Sequence, residues 1–244
     1  MKKFTIIIFI LLITLWACDE NVSGPNEIGG STDVEFTKVG SKTAASISIN
    51  DEIIQVDDSI VVIKNDGGIV STFVKFTFDY SIVKYFDTLA GTHELDIDAK
   101  HLIMDTYLEK FGATLDTTDK NAVTLSLELK TKVTTEGIQD FIYSGGDLTK
   151  PFTVVKYSSG LGDKYEFTDK DNVKITRTVV YKSETDDYPL AFWNIKVIKV
   201  EETKDDPILD KISYIANHKF GPIAIEIKFK NNNSLKIGFL PPNL

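Results

Sequence analysis

Period-two alternation of apolar and polar residues governs what this chain can become. Val74, Phe76, Phe78 and Tyr80 alternate with Lys75, Thr77 and Asp79, and Val123, Leu125, Leu127 and Leu129 alternate with Thr124, Ser126, Glu128 and Lys130. Successive side chains of a strand point to opposite faces, so each run presents one apolar and one polar face, as in an antiparallel sheet buried on one side. The pattern returns at Ala45, Ile47 and Ile49, at Ile223, Ile225, Ile227 and Phe229, and at Leu235, Ile237 and Phe239. Asn65-Asp66-Gly67-Gly68, Asp169-Lys170-Asp171-Asn172 and Asn231-Asn232-Asn233 separate such runs at hairpin distance, with residues that accept the positive φ of a tight turn.

One stretch departs from this period. Ala99, Ile103, Tyr107 and Phe111 recur every four residues with Leu102 beside them, which predicts a helix over about 98 to 111. Asp96 or Asp98 can cap its start, and Gly112 follows it as a C′ glycine would. The segment from Phe36 to Tyr85 reads as strand, Thr135 to Tyr143 as a short second helix, and the chain after Pro151 as strand upon strand, including one run from Leu190 to Val200. With no internal repeat and no linker after Val34, residues 35–244 are expected to form a single domain. Its fold class is mainly β (α+β): a curved antiparallel sheet or open barrel with one principal helix packed on it, a β-sandwich being the alternative.

Composition narrows the function classes. With 42% hydrophobic residues the chain has material for a core, and its single cysteine, Cys18, allows no internal disulfide, so packing must hold it. A formal charge of −9, with Arg177 the only arginine, argues against a nucleic-acid partner and against an electrostatic contact with anionic lipid.

At the N-terminus Lys2 and Lys3 precede an apolar run from Phe4 to Ala17, too short to span a hydrocarbon core of about 30 Å comfortably. Leu15-Trp16-Ala17-Cys18 resembles the lipobox of bacterial lipoproteins, in which signal peptidase II cuts before a lipid-modified cysteine. The resemblance implies that residues 1–17 are a signal peptide and that Cys18 is the mature N-terminus, carrying acyl chains such as palmitate. Residues 18–34, which run on through DENVSGPNEIGGSTDV, have no apolar period and read as the lipidated cysteine and a flexible tether. The membrane is then reached through the lipid anchor. Asp19 and Glu20 bear on sorting: an aspartate directly after the cysteine resembles an inner-membrane retention signal of enteric bacteria, while in some other Gram-negative lineages acidic residues there accompany export to the cell surface. The outer membrane, on its periplasmic or surface face, is favoured over the inner.

Trp193, Tyr157 and Tyr143 are candidates to line a site for an apolar ligand, although core packing is the ordinary role of such residues. The stretch from Tyr214 to Ile227 is similar to the closing segment of open-barrel envelope lipoproteins, which carry or bind apolar ligands or partners. His93, Glu94, Asp96, Asp98, His101 and Asp105 match no metal signature and read as a solvated helix face with acids near its positive end, so no metal is assigned. G-x-S-x-G, H-E-x-x-H and a glycine-rich phosphate loop are all missing, and no catalytic residue or cofactor is assigned. The function read from these features is a membrane-anchored envelope lipoprotein whose non-catalytic β domain binds an apolar ligand or an envelope protein. A surface adhesion or assembly module is the alternative, and a hydrolase with a carboxylate pair drawn from the 36 acids is the second.

Overall fold

The computed structural model describes residues 26–241. The strands are β1 (Lys42–Ile49), β2 (Glu52–Ile54), β3 (Val56–Asp66) and β4 (Ile69–Asp79), followed by helices α1 (Val83–Ala90) and α2 (Ile97–Phe111). The chain then forms β5 (Ala113–Asp116), β6 (Ala122–Thr134), β7 (Gly137–Asp140), β8 (Phe152–Lys156), β9 (Lys164–Thr168) and β10 (Lys174–Lys182). It closes with β11 (Tyr188–Leu190), β12 (Trp193–Ile195), β13 (Ile198–Thr203), β14 (Leu209–Asn217), β15 (Gly221–Phe229) and β16 (Ser234–Leu240).

Fourteen of these strands form one antiparallel sheet in the order β8-β7-β6-β4-β3-β1-β16-β15-β14-β13-β10-β9, with β2 added to β1 and β5 to β6. Its two end strands approach each other, the Tyr165 hydroxyl of β9 accepting the Lys156 amide of β8 at 3.3 Å. The sheet is therefore a nearly closed barrel, and not the two facing sheets of a sandwich.

Alternation builds the core as expected. Val74, Phe76 and Phe78 are buried, and Gly67 and Gly68 turn the β3–β4 hairpin at φ of 56° and 90°. Tyr80 leaves this face: the strand ends at Asp79, and Tyr80 opens a 3-10 turn with its side chain 46% exposed. Helix α2 begins at Ile97, with Asp96 Oδ1 accepting the Ala99 amide at 2.8 Å, and ends at Gly112, whose φ is 62°.

The single principal helix is a point of correction. Two α-helices are present among the described residues, and the shorter one enters the core: Leu89 of α1 is buried with Val74, Phe76, Phe78 and Val123, whereas Leu102 of α2 is 69% exposed. Lys100 Nζ of α2 donates to Asp87 Oδ2 of α1 at 2.8 Å and joins the two. The expected helix over Thr135 to Tyr143 is instead the four-residue strand β7, buried along its whole length. Gly137 explains its place, since a Cβ there would stand 2.3 Å from the Val155 carbonyl oxygen of β8, and only glycine allows that approach. The run from Leu190 to Val200 is divided between β11, β12 and β13.

Residues 26–34 lie on the barrel. Ile28 and Val34 are buried, Asn26 Nδ2 donates to the Glu166 carbonyl of β9 at 2.8 Å, and Gln139 of β7 donates to the Asn26 carbonyl. The segment therefore bridges the two sides of the gap between β8 and β9.

Candidate functional site

The densest chemistry in the described residues lies inside that gap. On β10, Ile175, Arg177 and Val179 share the inward face, so the only arginine of the chain is carried into the core and is 0% exposed. On β13 the same alternation sets Glu202 behind Ile198 and Val200. A buried guanidinium is tolerated only when its five donors and its charge are met. Arg177 Nε donates to Glu202 Oε2 at 2.8 Å and Nη2 to Asp140 Oδ2 at 2.7 Å, while Nη1 donates to the Phe152 and Thr153 carbonyls of β8 at 3.2 and 3.1 Å. Tyr143 donates to Glu202 Oε1, and Tyr214 donates to Glu202 Oε2 at 3.1 Å.

The electrostatics follow from burial. Desolvation opposes the charge on Arg177, but Asp140, Tyr214 and Glu202 outweigh it and hold its pKa well above the ordinary value. Burial pushes Asp140 up, with Arg177 pulling against it, and burial followed by the negative charge of Glu202 pushes the Tyr143 hydroxyl up. Both carboxylates spend their lone pairs on these donors and are closed off from solvent, with side chains 5% and 1% exposed. Among the described residues this is a buried carboxylate pair shared by one guanidinium, and it acts as a lock between strands on either side of the gap.

Further charged side chains join α2 to the lock. Lys110 and Lys204 place their ammonium nitrogens 4.7 and 5.8 Å from the Tyr143 ring centroid. Lys204 pairs with Asp206 at 2.8 Å, and Tyr107 of α2 donates to Asp206 Oδ1 at 2.7 Å. Burial and then Lys204 lower Lys110 to about 8. Burial of Asp206 is outweighed by the Leu209 amide, Lys204 and Tyr107, and its carboxyl falls to about 2.

The three aromatics expected to line a ligand site lie as follows. Tyr143 is buried in the lock, and Tyr157 packs against the same core cluster. Tyr157 meets His218 edge-on at 6.4 Å, burial raises its pKa, and its hydroxyl has no hydrogen-bond partner among the described residues. Trp193 lies apart from that cluster, 43% exposed on β12 beside Phe192, which is 98% exposed. Two shallow depressions mark the surface, one of about 290 Å³ bounded by Lys156, Ser159 and Tyr165, the other of about 400 Å³ bounded by Leu161, Val180 and Tyr181. Among the described residues no group of three His, Cys, Asp or Glu side chains gathers to hold a metal. Cys18 lies outside the described residues. Sequence reasoning misses Arg177, Asp140 and Glu202 as site residues; the signal for two of them is a charged residue in the inward register of Ile175-x-Arg177-x-Val179 and of Val200-x-Glu202.

Fold and site together define a mainly antiparallel β protein, a nearly closed barrel locked by a buried ion network. No protein-family model matches the chain, and no curated protein sequence matches it. Among solved structures it is similar to one from Bacteroides fragilis described as an exported protein with a YmcC-like fold, at a TM-score of 0.38 and 9% identity, covering 83% of this chain and 95% of that one. So loose a likeness carries neither site nor function across.

Proposed function

We propose that the protein is a lipid-anchored lipoprotein of the bacterial envelope, held by Cys18 at the outer membrane, whose non-catalytic β domain acts by presenting its outer surface to an envelope partner. One observation carries the choice of surface over interior: the seam of the barrel is filled by Arg177, Phe152, Glu202 and Gln139, each 2% exposed or less. A carrier of apolar molecules needs a hollow lined by apolar groups, and at the seam side chains with matched charges occupy that space. The anchor itself rests on the stretch from Leu15 to Cys18. Lipidation fixes the domain at a bilayer and raises its effective concentration toward anything else held there, so weak surface contacts suffice for function.

The test is the composition of the native complex. Protein purified in mild detergent from its own envelope should carry a second protein in stoichiometric amount. A stoichiometric lipid bound inside the domain, separate from the acyl chains on Cys18, would reverse the choice in favour of a carrier. Turnover of a substrate by the purified protein, lost on changing an exposed acidic pair, would replace both with the hydrolase.

A further inference from the structure

Strands β11 and β12 form a hairpin that pairs with no other strand among the described residues. It is nonetheless rooted: Leu190 and Ile195 are 5% and 6% exposed and pack with Val197, Ile215, Ile223 and Ala224. Between its strands Ala191 takes a positive φ of 52°, in the region that disfavours side chains larger than glycine, and Phe192 stands 98% exposed next to Trp193. Folding gains nothing from a fully exposed phenylalanine. At the root, Ser183 exchanges hydrogen bonds of 2.9 Å with Val197, and Ser183 also borders the depression that contains Leu161, 72% exposed, Val180 and Tyr181. Lys182 and Glu184 line that depression as well, so the apolar surface at this end of the domain is chiefly the hairpin tip, Phe192 and Trp193.

Chain length says what can reach the hairpin. Eight Cα steps separate Cys18 from Asn26, the first described residue, a span of at most about 29 Å. Asn26 is fixed to Glu166, whose partner across the ladder is Thr176. Six residues along β10, about 20 Å, lead from Thr176 to Lys182, where the chain leaves for the hairpin. A lipid on Cys18 therefore brings this end within reach of the bilayer that holds it. Around the hairpin Lys182 and Lys196 stand against Glu184, Asp186 and Asp187, so the contact is apolar and does not depend on anionic headgroups.

We infer that the Phe192-Trp193 hairpin is a second membrane contact, set into the boundary between headgroups and acyl chains of a zwitterionic leaflet, where aromatic side chains reside favourably. The inference rests on the reading of Cys18 as lipidated. The test uses the mature protein in phosphatidylcholine vesicles whose acyl chains carry bromine near the carbonyl end. Loss of residues 1–17, checked by intact mass, leaves Trp193 as the only tryptophan, so its emission reports the hairpin alone. Bromine should quench that emission about twofold or more, and Phe192→Ser should remove most of the quenching while the protein still floats with the vesicles. Flotation with unquenched Trp193 overturns the hairpin contact and leaves the anchor standing, pointing to a protein on that face. A protein that does not float overturns the anchor instead.

Discussion

The guanidinium carbon of Arg177 on β10 sits 3.9 Å from the ring centroid of Phe152 on β8. With Nη1 on the Phe152 and Thr153 carbonyls, one side chain ties together strands on opposite sides of the barrel's gap. Arg177→Met removes the cation and leaves Asp140 and Glu202 buried beside each other, so it should destabilise the protein by about 3 to 5 kcal/mol in urea unfolding. Adding Asp140→Asn and Glu202→Gln should recover part of that loss, because an uncharged cluster has no uncompensated charge to bury.

The N-terminal segment closes the same gap. Ile28→Ala should cost about 2 to 3 kcal/mol through lost burial, and Asn26→Ala about 1 kcal/mol through the bond to Glu166. Hydrogen exchange should rise first at the amides of β8 and β9, the strands the segment joins. Equal protection across all strands in Ile28→Ala would contradict that assignment.

Lys110 gives the stability a pH signature. Its pKa in the folded protein is about 8, below the ordinary 10.5, because burial and Lys204 disfavour its charge, with Asp169 and Asp206 pulling the other way. Between these values the unfolded chain binds more protons, so the unfolding free energy contributed by this group rises with pH above 8. Urea midpoints should climb more from pH 8 to pH 10 in the wild type than in Lys110→Met. Asp206 acts at the other end: folded at about 2 against an ordinary 3.8, it contributes stability above pH 4 that is lost as pH falls toward 2. Tyr107→Phe should weaken that acid-limb effect.

At Gly137 the backbones of β7 and β8 come too close for any side chain. Gly137→Ala should destabilise by about 1 to 3 kcal/mol, read as a lowered midpoint of thermal unfolding, whereas Gly145→Ala, whose Cβ would meet nothing within 4 Å, should show only the strain of a φ of 65°.

Much of the fold is legible in local pattern, because a half-buried antiparallel strand writes its register into every second residue, as from Val74 to Phe78. Helix α2 is legible for the same reason, through its four-residue recurrence and the Asp96 and Gly112 signals at its ends. Helix α1 is not: Tyr80 to Leu89 is short and mixes Ile82 and Val83 with aromatics, so it looks like more strand until Leu89 finds the core. The lock is harder still. Arg177 and Glu202 stand at inward positions, but a charged residue breaks the apolar alternation that would place it there, and Asp140 has no periodic signal. The pairing of Asn26 with Glu166, 140 residues apart, leaves no trace in local spacing.

Whether Cys18 carries the protein on its membrane is decided by metabolic labelling with radioactive palmitate. Label should enter the wild-type protein, which should start at residue 18, and should be missing from Cys18→Ser. A wild type without label, or label that persists in Cys18→Ser, would contradict it.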